Sequence, residues 1–144
     1  MKLSSRSRYG VRALCALAIL SRDNSPVPLA RISKCEGIPK QYLGLIFHKL
    51  RKSGHVEAVR GLNGGYKLAK SPAEITVASV VRALDGPIAP VKCLIEREKG
   101  HRYCWREEVC LSRPAWAFLQ QQIEKTLESI TIESLIKKKC PTET

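Results

Sequence analysis

Three of the six cysteines, Cys93, Cys104 and Cys110, fall within one stretch that has no helical or strand period. Thiolates are soft ligands suited to iron–sulfur clusters or zinc, and three of them leave one metal position to a different ligand. A close Cys-x-x-Cys pair is absent, which disfavours a rigid zinc ribbon. The spacing leaves four readings open: an iron–sulfur cluster, zinc, thiol redox chemistry or no role. His101 lies in the same loop, as a candidate ligand or a solvated histidine. Cys15 and Cys35 fall in helical segments near the core and read as small buried hydrophobes, and Cys140 lies in the tail.

A second set of side chains suits a different chemistry. Pro39 opens a segment in which Leu43, Ile46, Phe47 and Leu50 recur at i, i+3, i+4 and i+7, an inward helical stripe. Gln41, Leu45, His48 and Lys52 fall on the opposite face, with Lys49 and Arg51 on its flanks. A helix fits the major groove of DNA, where glutamine pairs with adenine and lysine with guanine or phosphate. Tyr42, at the helix start, can reach a phosphate or a base edge. Arg60 suits a narrow minor groove, and Lys2, Arg6 and Arg8 suit phosphates.

The charge distribution points the same way. The formal net charge is +12, and residues 1–70 hold fourteen Lys and Arg against three acids. Residues 71–144 are nearly balanced, with eleven basic and ten acidic side chains. A folded basic half is the electrostatic footprint of a polyanion partner.

The elements that must position these groups follow from pattern. Tyr9–Leu20 reads as a helix apolar almost all round, broken by Asp23-Asn24-Ser25-Pro26. A short helix from Pro28 to Cys35 ends before Gly37, where a left-handed cap wants glycine. The Pro39 helix ends at Ser53-Gly54, and two strands follow, His55–Val59 and Tyr66–Ala69. Asn63-Gly64 between them is a hairpin signal, because both residues tolerate positive φ. Helix, turn, helix and basic-tipped hairpin is the order of a winged helix-turn-helix.

Thr76 caps a further helix with Val77, Val80, Val81 and Leu84 inward and Gly86 at its end. From Arg113, Trp116, Leu119, Ile123, Leu127 and Ile130 form a stripe that no later element of similar size can cover, so a partner subunit is its natural cover. Thr131 caps a terminal turn through Leu135. The expected fold is mainly α with a small β-hairpin wing: a winged helix-turn-helix plus a long C-terminal dimerisation helix. The expected divisions are a DNA-binding domain (1–86), a cysteine-containing sensor loop (87–111), and a dimerisation helix with tail (112–144).

No apolar run approaches the roughly 20 residues needed to cross a bilayer. The basic start before Val11–Leu20 superficially resembles a secretory signal, but Arg12 interrupts the apolar run. A cytoplasmic chain with reduced cysteines is expected, which favours metal or redox roles over structural disulfides. No paired acid–base constellation or phosphate-cradling glycine loop before a helix is present, so an enzyme is not expected.

Nearly the whole chain resembles the iron–sulfur cluster regulator (IscR-type) family of winged-helix transcription factors. The resemblance is carried by Met1-Lys2-Leu3-Ser4, Arg8-Tyr9-Gly10-Val11-Arg12-Ala13-Leu14, Gln41-Tyr42-Leu43 and Leu50-Arg51-Lys52-Ser53-Gly54. Its sharpest part is the glycine-rich wing, Val59-Arg60-Gly61-Leu62-Asn63-Gly64-Gly65-Tyr66. The resemblance implies a cytoplasmic homodimer on a palindromic double-stranded DNA operator. It also implies a 2Fe–2S or 4Fe–4S cluster on Cys93, Cys104 and Cys110, whose number, order and place match the family's ligands.

Some family members carry no cluster, so sensing by thiol oxidation, zinc or a protein partner is the alternative. The ten residues between Cys93 and Cys104 exceed the common family spacing. The family's histidine position, three residues after the last cysteine, holds Arg113, and the acidic position of nitric-oxide-sensing relatives holds Arg8. The fourth ligand is therefore open among His101, Glu107, Glu108, a partner-chain residue and a small molecule.

Overall fold

Helix α1 (Ser5–Leu20) begins four residues before the expected start, because the Ser4 side chain accepts from the Ser7 backbone N–H and caps its first turn. The computed structural model describes residues 2–21, 23–96, 98 and 103–137. His101 and Cys140 lie outside these. Ala13, Leu14 and Leu17 put the apolar face of α1 wholly inside. Asp23 and Asn24 then take left-handed backbone, φ 54° and 57°, which ends the helical run; these residue types tolerate that conformation best after glycine.

Helices α2 (Leu29–Glu36) and α3 (Lys40–Lys52) form the helix-turn-helix. Gly37 caps α2 in the left-handed region at φ 65°, and its N–H donates to the Ser33 carbonyl at 2.9 Å. The inward stripe of α3, Leu43, Ile46, Phe47 and Leu50, is buried with Leu14, Leu17, Ile32 and Ile75 in one core. Burial of each such side chain contributes about 1.5–3 kcal/mol.

Strands β1 (Val56–Val59) and β2 (Gly65–Leu68) pair antiparallel, from Val56 opposite Leu68 to Val59 opposite Gly65. Positive φ in this hairpin falls on Gly61 (115°) and Gly65 (154°) rather than on Asn63 and Gly64. The connection is a loop over residues 60–64, one residue shorter than expected because Gly65 already pairs with Val59. Gly64 is needed for another reason: a Cβ there would collide with the Val59 carbonyl. A bridge absent from the sequence reading widens the wing. Val27 exchanges two backbone hydrogen bonds with Tyr66, at 2.8 and 2.9 Å, and Gly65 lies so close to Val27 that no side chain fits.

Helix α4 (Val77–Asp85), capped by Thr76, has two buried sides. Val80 and Leu84 join the main core, while Ala78 and Val81 form a smaller cluster with Ile88. Leu84 crosses α1 at Gly10, where a methyl would collide with it. Asp85 receives the Ser4 hydroxyl and lies 3.9 Å from Arg6, tying the two helix ends together.

A 3-10 turn (Lys92–Leu94) leads through the cysteine loop to α5 (Arg113–Ser129) and α6 (Ile132–Ile136). No residue of α5 is buried. Its Ile123 and Leu127 rest on the cluster of α4, and Arg82 reaches Glu128 at 2.8 Å and Glu124 at 3.6 Å. Trp116 and Leu119 are each 41% exposed. Chain direction then reverses: Thr131 and Ser134 form a capping box, and Ile132 is fully buried in the main core. The segment expected as a terminal turn thus packs against α1. Among the described residues, no helix is long and apolar enough to cross a membrane.

Candidate nucleic-acid interface and cysteine loop

Burial of one face of α3 leaves the other to solvent. Gln41, Leu45, His48, Lys49, Arg51 and Lys52 are all exposed, as expected from the wheel. Lys49, Arg51 and Lys52 occupy the last turn, where cations also complement the negative helix end. Leu45, 67% exposed, sits among polar neighbours on this face and suits a thymine methyl.

Tyr42 is less free than its neighbours. Its hydroxyl lies 2.9 Å from the Ser5 Oγ, and its ring meets Tyr9 edge-on with centroids 5.8 Å apart. The structure thus brings the start of α1 to the start of α3, and Ser5 joins Tyr42 as a polar pair that sequence spacing could not reveal. Lys2 and Arg8 are exposed near that junction, whereas Arg6 faces Asp85 and Arg12 is held by Glu36, at 3.1 Å, and by the Tyr9 ring. Arg60 is exposed at the start of the wing loop. Leu62 at the loop is fully exposed, a further contact candidate whose signal was an apolar residue amid glycines.

The cysteine loop is organised from its two ends. Cys93 is half-buried in the 3-10 turn, and its carbonyl accepts from Arg113 Nη2 at 3.2 Å. The same guanidinium nitrogen lies 3.5 Å from Glu107. Arg113, at the family's histidine position, therefore clamps the loop start to the first turn of α5. Cys110 lies 3.3 Å from the Ser112 Oγ. Hydrogen bonds from the Ser112 side chain and from the Ser112 and Arg113 backbones outweigh desolvation and lower its thiol pKa below the usual range. Cys104 is exposed.

Among the described residues, no three His, Cys, Asp or Glu side chains gather closely enough to hold a metal ion. The donor set fits an iron–sulfur cluster by type: three free thiols, one of them with its pKa lowered by hydrogen bonds from Ser112 and Arg113. Away from the loop, Cys15 is half-buried against the core, and desolvation followed by Glu36 pushes its pKa to about 11. Cys35 is exposed rather than buried, because α2 turns that side to solvent.

Residues 3–138 match the Rrf2 family, described as an iron-dependent transcriptional regulator. The chain is 40% identical over 136 residues to the HTH-type transcriptional regulator IscR of Photorhabdus laumondii, covering 94% of this chain and 79% of that one. It is 39% identical over 139 residues to the regulator of the same name from Pectobacterium carotovorum, covering 96% and 81%. Among solved structures, the global cysteine regulator CymR of B. subtilis superposes with a TM-score of 0.76 at 30% identity, covering 96% of this chain and 98% of that one. T. potens IscR superposes with a TM-score of 0.75 at 29% identity, covering 100% and 92%.

Proposed function

Given that the chain belongs to the Rrf2 family and is a DNA-binding transcription regulator, not an enzyme, we propose that it acts in the cytoplasm as a homodimer reading a palindromic operator. Lys2, Arg8, Gln41, Tyr42, His48, Lys49, Arg51, Lys52 and Arg60 form its DNA-reading surface. The observation that carries this reading is the exposed cationic face of α3, with its apolar stripe fully used in the core. Gln41 reads a base edge, Arg60 enters the minor groove, and the remaining cations set register on phosphates.

Residues 1–86 make the reading domain, 87–111 the sensor loop, and 112–144 the dimerisation helix with its tail. The exposed Trp116, Phe118 and Leu119 on α5 support a second copy as their cover. An iron–sulfur cluster is held by Cys93, Cys104 and Cys110, and when bound it supplies a redox- and iron-sensitive centre. Arg113 and Ser112 hold the loop against α5, so the order of the loop is passed to the dimer helix and, through Arg82, to α4. A ligand shifts such an equilibrium only by its differential affinity for the two arrangements.

A cluster-free reading has its own support: the Cys110 thiol has a lowered pKa and Cys104 is exposed, features that favour oxidation of single thiols. Iron, acid-labile sulfide and zinc are measured on anaerobically purified protein, and a duplex is selected from a random-sequence library. Matching iron and sulfide, lost on Cys104→Ser, supports the cluster. Zinc or no metal, with a duplex still selected, moves sensing to the thiols or to a partner. Failure to select any sequence over bulk DNA removes the operator reading.

A further inference from the structure

His55 is buried, only 5% exposed, in a chain whose two other histidines are His48 on α3 and His101. Its ring spans two helices. Nδ1 lies 2.7 Å from the Oγ of Ser53, the cap at the C-terminal end of α3, and Nε2 lies 3.0 Å from the Oγ of Ser79, in the first turn of α4. Backbone bonds hold the residue from both sides: its N–H donates to the Leu50 carbonyl at 2.9 Å, and its carbonyl accepts from the Ala69 N–H at 3.0 Å.

Counting protons exposes a shortage. The Ser53 hydroxyl faces the Leu50 carbonyl at 3.0 Å, and the Ser79 hydroxyl faces the Thr76 carbonyl at 2.8 Å. Both carbonyls and both ring nitrogens thus face two hydroxyls, a frame of four contacts. A neutral imidazole and two hydroxyls bring one proton fewer than four contacts need. One hydroxyl must therefore leave its carbonyl and donate to the ring. Leu50's carbonyl already accepts a good backbone bond, whereas Thr76's other acceptance, from Val80 N–H, is long at 3.3 Å. Ser53 is the one to turn, and the ring then carries its proton on Nε2. The 2.7 Å contact suits an O–H donor.

We propose that His55 is a positioning residue for DNA recognition, tying the end of the reading helix α3 to the start of α4 through a joint that loosens when its ring is protonated. Protonation would complete the fourth contact, but it places a charge in a buried site facing Lys70, just beyond β2. Burial first, and Lys70 second, lower the imidazole pKa below 6.5. Among the described residues, burial and Lys70 act on this ring with no acid offsetting them; Glu74, just before α4, accepts from the Ser71 N–H at 3.1 Å. Glu57 on β1 faces Lys67, and on α4 Asp85 is engaged by Ser4 and Arg6, while Arg82 is engaged by Glu124 and Glu128. The cost is relieved by admitting water to the ring, which undoes the joint. The inference rests on reading α3 as the helix that enters the groove.

The test uses the full chain with His48→Gln and His101→Gln, so that His55 is the one remaining imidazole, and a duplex selected afresh by that double variant, because His48 belongs to the proposed reading surface. At constant ionic strength, affinity should fall on the acid side of a single inflection below pH 6.5. The fall is roughly threefold to tenfold, the scale of one net hydrogen bond. His55→Phe should lose the inflection and bind weakly throughout; Ser79→Ala, which keeps the ring, should shift it and serves if the Phe variant does not fold. A flat profile, or the same inflection in both variants, overturns the proposal. Nitrogen NMR of the DNA-free chain should show the Nε2–H tautomer at neutral pH, and averaged shifts of a solvated ring would also overturn the joint. If the joint is seen but Gln41→Ala and Lys52→Ala leave sequence preference intact, the reading-helix assignment fails instead.

Discussion

The head built from α1 to α4 and the segment from the 3-10 turn through α5 are made from similar proportions of apolar residues but use them differently. Leu14, Leu17, Leu43, Phe47 and Leu50 in the head are fully enclosed within the chain. Trp105, Val109, Leu111, Trp116, Phe118 and Leu119 in the second region are exposed. Enclosed side chains specify one arrangement, because every neighbour resists displacement. An element with no buried residue of its own, resting on its neighbour through Ile123, Leu127 and the solvent-facing Arg82 pairs, is free to take its final place from something else, whether a second copy or a bound group. Rigidity thus belongs to the part proposed to read DNA, and adaptability to the part proposed to sense.

The contrast can be broken most forcefully in the core. Phe47→Ala removes a fully buried ring that meets Tyr66 edge-on at 4.9 Å, and should destabilise the chain by about 3–5 kcal/mol in denaturant unfolding. Trp116→Ala should change the unfolding of dilute protein by no more than about 0.5 kcal/mol, while weakening self-association in sedimentation. Equal losses for the two would remove the distinction between the regions.

At the DNA surface, Arg60→Ala should reduce affinity for the selected duplex about tenfold with the melting temperature unchanged. Gln41→Ala should relax preference at one or two base pairs, read by repeating the selection. Unaltered footprints for both would separate the exposed face of α3 from recognition.

A smaller effect concerns pH. The imidazole of His55 has a folded pKa below its unfolded value of about 6.5, so below that value the unfolded chain binds the proton more readily. Its contribution to stability is therefore whole above about pH 6.5 and is lost as pH falls toward the folded pKa. Melts of the unaltered chain and His55→Phe across this window should show the slope in the first and not in the second. The smallest change is expected from Cys104→Ser in cluster-free protein, within about 0.5 kcal/mol, because that side chain is exposed.

Much of the head was legible from residue pattern. The i, i+3, i+4, i+7 stripe of α3, the glycine after α2 and the threonine before α4 each act over a few residues, and each stands where its spacing indicated. The hairpin was legible in place but not in mechanism: its positive φ angles moved to Gly61 and Gly65, since the bridge from Val27 requires a glycine at the latter. Cys35 was misread as buried because apolar character alone does not say which side of a short helix meets its neighbour.

Sequence by itself determined the helix-turn-helix order, the cationic face opposite the α3 stripe, and the presence of three thiols on one loop. These depend on local periodicity, capping chemistry and composition, which operate between near neighbours in the chain. Tertiary structure alone decided that Ile132 returns to the core beside α1, that Ser5 meets Tyr42, that Arg113 clamps Cys93, and that His55 joins α3 to α4. Each is a contact between separate segments, set by how whole elements pack, and a hydrogen bond or collision across that distance leaves no periodic trace in the residues that make it.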